Sequence, residues 1–241
     1  MTSSSADKPR WLVPLGVVGF AAVGAAQLYG ILMSPPDRDM GHLQKIMYVH
    51  VPAAWMAFIC FFIVLVESAR YLWRGRERHD LLAAAAAETG AMLTALTLML
   101  GSIWGRPTWG VWWTWDARLT STAVLLVVFV GYLVLRAFTD DPIRRARWSA
   151  AIGILGALNV PIVYMSVKWW RTLHQLQSSP RTFSPEYTRS LRLNAIAALV
   201  LVVWFIAWRY HIARIERAID DIDDARALGD TSAKPLETRY A

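Results

Sequence analysis

Residues 104–120 read WGRPTWGVWWTWDARLT, and the nature of the whole chain turns on this stretch. Five tryptophans, Trp104, Trp109, Trp112, Trp113 and Trp115, fall within twelve residues, with Gly105, Pro107 and Gly110 to bend the backbone between them. Arg106, Asp116 and Arg118 supply the charge. A long apolar run lies on each side, so the stretch reads as a loop at a membrane surface. Tryptophan partitions to that depth because its ring is apolar while its indole N–H needs a polar partner. An aromatic belt accounts for one or two tryptophans at a helix end. Five in one bent loop read instead as a flat aromatic surface for a flat ligand.

Working outward, the chain is 56% hydrophobic and only 18% charged, against about 25% charged in a soluble domain. The deficit lies in apolar segments over residues 11–33, 52–73, 82–103, 119–138, 148–167 and 191–208, each near the ~20 residues needed to cross a bilayer. The expected fold is all-α, a polytopic membrane protein whose transmembrane domain of six helices spans residues 11–208. The first segment follows Lys8 and Arg10 as a signal peptide would, but its apolar run is too long and no small-x-small cleavage site ends it, so it reads as a retained anchor. Pro52 suits the first turn of the second span, and Pro161, beside Asn159, is expected to kink the fifth.

The net charge of +7 invites a nucleic-acid reading, but the arginines sit mostly beside the spans, where they report topology. Arg70, Arg74, Arg76 and Arg78 mark one basic turn and Arg136, Arg144, Arg145 and Arg147 another, so that side, with both termini, is expected to be cytoplasmic. The link after the first span, the Trp loop and the segment 168–190 then face outward. That last segment is itself basic, which we read as functional. After Arg209, Ile212, Ile215, Ile219 and Ile222 form one helical stripe, predicting a short amphipathic cytoplasmic helix over 209–228 that either lies on lipid headgroups or docks a cytoplasmic partner. Residues 1–10 and 229–241 read as disordered. Glu67 and Arg70, three apart, are expected to pair at the cytoplasmic interface. The lone cysteine, Cys60, excludes an internal disulfide framework and a C-x-x-C-H haem attachment site.

Topology also sorts the histidines. His79 and His211 fall on the cytoplasmic side; His42, His50 and His174 fall on the side of the Trp loop. His50, in KIMYVHVPAAW, is expected just outside a helix end, since Val51 precedes a proline and is pushed towards extended backbone. His174, in VKWWRTLHQ, follows a second aromatic pair, Trp169 and Trp170. Imidazole is a good iron ligand, and two on opposite faces would complete the axial coordination of a haem. Arg106, Arg118, Lys168 and Arg171 are the cations within reach of its propionates, arginine matching carboxylate geometry best. A quinone site lined by aromatics and a purely structural belt remain as rival readings. Asp116, directly before the fourth span, suits an N-cap; contact with a partner is its other reading. No Ser–His or Cys–His arrangement, carboxylate pair or phosphate loop is apparent, so no enzymatic activity is expected.

The pattern W-G-x-x-x-W-x-x-W-W-x-W-D-x-R-L-T resembles the tryptophan-rich motif of bacterial haem-handling membrane proteins. With KIMYVHVPAAW and NVPIVYMSVKWWRTLHQ on either side, the chain over about residues 40–208 resembles the cytochrome c maturation protein C family (CcmC). The resemblance implies a haem-presenting subunit of c-type cytochrome biogenesis in the bacterial inner membrane. It would hold haem b transiently at the outer face and load the periplasmic haem chaperone CcmE, alongside the ABC-type subunits CcmA, CcmB and CcmD. The family's axial histidines map onto His50 and His174, and its motif onto Trp104, Gly105, Trp109, Trp112, Trp113, Trp115, Asp116 and Arg118.

Two other classes of function compete with this one. A membrane haem or quinone oxidoreductase would favour histidines deep within spans, and a structural permease subunit leaves the aromatic outer segments unexplained. The topology is directly testable: a reporter fused after Ser178 is expected to behave as periplasmic and one after Glu77 as cytoplasmic, and the reverse pattern would put the Trp loop on the wrong side for a periplasmic chaperone.

Overall fold

The computed structural model describes residues 8–174 and 184–227. The sequence-predicted disorder at 1–7 and 229–241, and residues 175–183 of the long basic segment, lie outside the described residues. Within them every long element is helical: α1 (Leu12–Met33), α2 (Met47–Arg74), α3 (Glu77–Trp109), α4 (Ala117–Ala137), α5 (Pro142–Ala157), α6 (Asn159–Trp169) and α7 (Pro185–Ala227), with one short 3-10 turn at His42–Ile46. Six of the resulting spans are long and apolar enough to cross a membrane, α5 and α6 counting as one. The protein is a multi-pass membrane protein. Outward-facing Val17, Leu32, Phe62 and Val127 are more than half exposed, as lipid-facing side chains of such a bundle must be.

Local chemistry sets most of the helix ends. Gly75 and Gly110 take left-handed φ values of 63° and 79° and close α2 and α3, each returning its N–H to the preceding turn. Asp141 caps α5 through the Ile143 and Arg144 N–H groups, with Pro142 at the first helical position. The expected kink in the fifth span falls between Ala157 and Asn159. Pro161 cannot supply the N–H that the Ala157 carbonyl would accept, and beside this break Asn159 Nδ2 donates to the Ser121 carbonyl at 2.9 Å, fixing it against α4.

Two ends differ from the sequence reading. α3 runs on past residue 103 to Trp109, so Trp104, Gly105, Arg106 and Trp109 stand on helix, and only residues 110–116 form the loop. α2 begins at Met47, so His50 lies within its first turns rather than outside it. Pro52 is tolerated there because the carbonyl it leaves free, that of Tyr48, accepts Gln27 Nε2 from α1 at 3.1 Å.

α2 and α3 form the centre, packed against α4, α5 and α7, while α1 lies on α7. The alanines at 83–87 of α3 are buried and let its backbone approach α2, and Phe61 stacks on Phe129 of α4 at 3.9 Å between ring centres. At the end carrying the Trp loop, Tyr48, Ser34, Ser190, Gln27 and Asn194 tie α1, α2 and α7 into one hydrogen-bonded net. The opposite, basic end is held by ion pairs. Arg136 grips Asp80 through both guanidinium nitrogens at 2.5 and 2.9 Å, and Glu67 accepts from Arg70 at 2.6 Å and faces His79 Nδ1 at 2.5 Å. The sequence-predicted Glu67–Arg70 pair is therefore formed, with His79 as an additional partner.

Residues 209–227, expected as a separate helix, continue α7 without a break. With 43 residues α7 is about 65 Å long, twice the ~30 Å hydrocarbon layer. Its extension is fastened along the N-terminal part of α3, Arg209 to Glu88 and Arg217 to Glu77.

The Asp80–Arg136 pair is buried, so removing one partner strands the other charge. Asp80→Asn is expected to destabilise the protein by about 3–5 kcal/mol, while replacing both residues with leucine costs less than either single change. Thermal unfolding in detergent measures both.

Candidate functional site

At the aromatic end the helices part around a cavity. Trp104, Gly105, Trp109, Arg118, His50 and His174 all line it, which brings together residues from α2, α3, α4 and the link after α6. It descends between α2, α3 and α4 as far as Phe58 and Leu125, so its lower walls are apolar.

Each histidine meets one tryptophan of α3. His50 lies edge-on to Trp104 with ring centres 5.9 Å apart, and His174 edge-on to Trp109 at 5.0 Å. The two tryptophans stand five positions apart on the continuation of α3, about 140° around the helix, and both line the cavity. Gly101, one turn earlier, passes close beneath His50: a Cβ there would stand 3.1 Å from His50 Cε1. His50 Nδ1 is buried and lies towards the Thr97 backbone without closing a hydrogen bond to it, and Trp104 Nε1 is likewise buried without a partner among the described residues.

Arg118 forms the cavity's polar wall. Its Nη2 donates to the carbonyls of Val163 and Tyr164 at 3.3 and 3.1 Å and its Nε to Ser166 Oγ at 3.3 Å, which clamps α6 to α4. Asp116 caps α4 as the sequence suggests, Oδ1 accepting the Leu119 N–H at 2.8 Å. Its second oxygen has other work: it accepts from Thr172 Oγ1 at 2.6 Å and Leu173 N–H at 3.2 Å, and stands 3.5 Å from His174 Nδ1.

The charge states follow. Burial depresses the His174 pKa below its ordinary value, outweighing the Asp116 carboxylate that favours protonation, and Arg118 acts in the same direction as burial. Burial also works against ionisation of Asp116, yet the donors from Leu119, Thr172 and Leu173, with His174, hold its pKa below the usual carboxylate range. Near neutral pH the pair is a neutral imidazole beside a carboxylate, and a neutral imidazole is what a metal ion requires.

The remaining sequence-predicted residues lie outside the lining. Arg106 donates to the Gly110 carbonyl at 2.5 Å, closing the end of α3. Trp113 packs edge-on against Trp115 at 5.6 Å, and Trp112 and Trp115 are 60% and 81% exposed. Trp169, Trp170 and Arg171 are exposed at the rim. The five tryptophans thus do not make one flat surface: two line the cavity, and Trp112, Trp113 and Trp115 do not. Sequence reasoning missed Met40, Met47, Trp55, Thr97 and Gly101, which also line it. Trp55 stood within the motif around His50, whereas nothing local distinguishes Gly101 from other helical glycines.

The architecture is that of a six-span membrane protein with an aromatic, two-histidine cavity at one end of its bundle. The family model described as "Heme exporter protein C" matches residues 4–227, extending the resemblance at both ends and through the continuation of α7. A protein of that name from Bradyrhizobium diazoefficiens is 37% identical over 211 residues, 87% of this chain and 78% of the relative. Its Escherichia coli K12 counterpart is 34% identical over 194 residues, 79% of each. A ccmC-like mitochondrial protein of cytochrome c biosynthesis from Marchantia polymorpha is 36% identical over 173 residues, 71% of each. The chain belongs to the haem exporter protein C family.

Proposed function

We propose that the chain is a non-enzymatic haem-presenting subunit of c-type cytochrome maturation, in which His50 and His174 hold the haem iron at the aromatic end of the bundle. The observation that carries this reading is the convergence of the two imidazoles, one from α2 and one from the link after α6, on one cavity walled by Trp104 and Trp109. The donor set fits the cargo. Burial favours the neutral form of His174, His50 Nδ1 is buried without a hydrogen-bond partner among the described residues, and a largely apolar shaft below them suits a porphyrin edge. The names of the relatives support haem as the ligand.

The denser arginines at the end opposite the cavity favour a cytoplasmic position for that end and for both termini, so the cavity faces the periplasm of a bacterial inner membrane. Arg118 in the lining, together with the exposed Arg106, Lys168 and Arg171 outside it, supplies the positive charge that the haem propionates need. The exposed Trp112, Trp115, Trp169 and Trp170, which do not line the cavity, form the surface from which the chaperone CcmE takes haem. The subunits CcmA, CcmB and CcmD complete the ABC-type complex, and the fastened continuation of α7 is the element placed to meet them on the cytoplasmic side.

The purified protein is expected to carry b-type haem with a bis-imidazole visible spectrum. His50→Ala and His174→Ala each change that spectrum, whereas His42→Ala and His211→Ala leave it intact; a wild-type spectrum in the variant lacking both His50 and His174 would refute the ligand assignment. Trp104→Ala or Trp109→Ala removes an aromatic wall worth roughly 1–3 kcal/mol by analogy with other stacked flat ligands. Haem should then be lost to apomyoglobin about 5- to 150-fold faster, while Trp115→Ala lowers delivery to CcmE and spares retention.

A further inference from the structure

His174 does not sit on a helix, and one carboxylate meets the segment that carries it. Asp116 Oδ2 gathers the segment 172–174 about itself: Thr172 Oγ1 donates to it at 2.6 Å, Leu173 N–H at 3.2 Å, and His174 Nδ1 stands 3.5 Å away. The Thr172 hydroxyl in turn accepts the His174 N–H at 3.1 Å. Capping does not explain this arrangement, because Oδ1 alone satisfies the Leu119 N–H. One carboxylate therefore joins the start of α4 to the far end of α6.

We propose that Asp116 is a positioning residue for His174, its second oxygen setting the orientation and tautomer of the ring that ligates the haem iron. The inference rests on the assignment of His174 as a ligand. A carboxylate at Nδ1 keeps the proton on that nitrogen and leaves the Nε2 lone pair for the cavity, which His174 lines. It also makes the imidazole a stronger donor, as carboxylates behind metal-bound histidines do. Trp109, edge-on to the ring at 5.0 Å, limits rotation away from that position. The 3.5 Å separation is long for such a hydrogen bond, and it is expected to shorten once the ring is ligated. Asp116 therefore acts on haem without touching it, and its loss should alter the iron's electronic properties as well as the site's occupancy.

The test compares full-length wild type, Asp116→Asn, Asp116→Ser, His174→Ala and the Asp116→Asn/His174→Ala double variant in detergent. Haem loss to excess apomyoglobin and the haem midpoint potential are read for each. Asn and Ser both cap about as well as Asp, so unfolding temperatures should stay near wild type. Neither places a carboxylate at Nδ1. Both are expected to release haem about 10- to 100-fold faster, the usual effect of losing a group behind a metal ligand, and to raise the midpoint potential, because a weaker donor favours ferrous iron. In the His174→Ala background, Asp116→Asn is expected to change release by less than about twofold, since residues that act as a unit are non-additive. Equal effects in the two backgrounds, or an unchanged potential in Asp116→Asn, would overturn the positioning role while leaving the ligand in place. If His174→Ala itself changes neither release nor potential, the ligand assignment fails, and this inference fails with it.

Discussion

In the hydrocarbon layer no water can replace a lost backbone hydrogen bond, and this protein's architecture follows from that constraint. It forces the crossing segments into helices and requires repair wherever a helix is interrupted. At Pro52 the repair is Gln27 of α1, which takes the free Tyr48 carbonyl. Where α5 gives way to α6, Asn159 donates to the Ser121 carbonyl of α4 and Arg118 to carbonyls of α6, contacts that join the helices beside the break. Each of these contacts fixes one helix against another, so the irregular places are where the bundle is pinned.

Buried charge obeys a related rule, because an unpaired ion in low dielectric is far more costly than a paired one. At the basic end Asp80 of α3 meets Arg136 of α4, and Glu67 of α2 meets His79 of α3 as well as Arg70 of its own helix. Arg209 and Arg217 continue the pattern along α7 and bind its extension to α3. α3 in turn runs unbroken to Trp109 at the cavity. The helix that anchors the α7 extension at one end thus carries the aromatic wall at the other, a rigid connection between the two faces of the membrane.

The cavity is built from parts of unlike stiffness. His50, Gly101, Trp104 and Trp109 stand on helices, whose backbone geometry holds them in place. His174 stands on a link, and a side chain on a link is only as well placed as its tethers. Thr172, Asp116 and Trp109 are those tethers, and two of the three belong to the tryptophan-rich segment. That segment therefore serves the histidine at least as much as it serves as a flat surface. Its outward members, Trp112 and Trp115, are free for other contacts.

Much of this was legible in the amino-acid sequence because it depends on local physics. A run of about 20 apolar residues has one stable solution in a bilayer, so six spans followed from six runs. Pro161 marked the break between α5 and α6, and Asp116 before an apolar run marked a cap. The pairing of Glu67 with Arg70 followed from helical spacing. The helix ends around the site did not, because the two glycines and the proline within WGRPTWG permit either a loop or a final helical turn. Packing chose the helix and so divided the tryptophans between the cavity and the surface. Nothing local linked Asp116 to Thr172 across 56 positions, or set Gly101 beneath His50. By itself the sequence determined the spans, their breaks and the residues able to bind iron, because hydrophobic length, capping and ligand chemistry act within a few residues. Only the tertiary structure decided which of those residues share a cavity, because their convergence depends on how four separate segments pack.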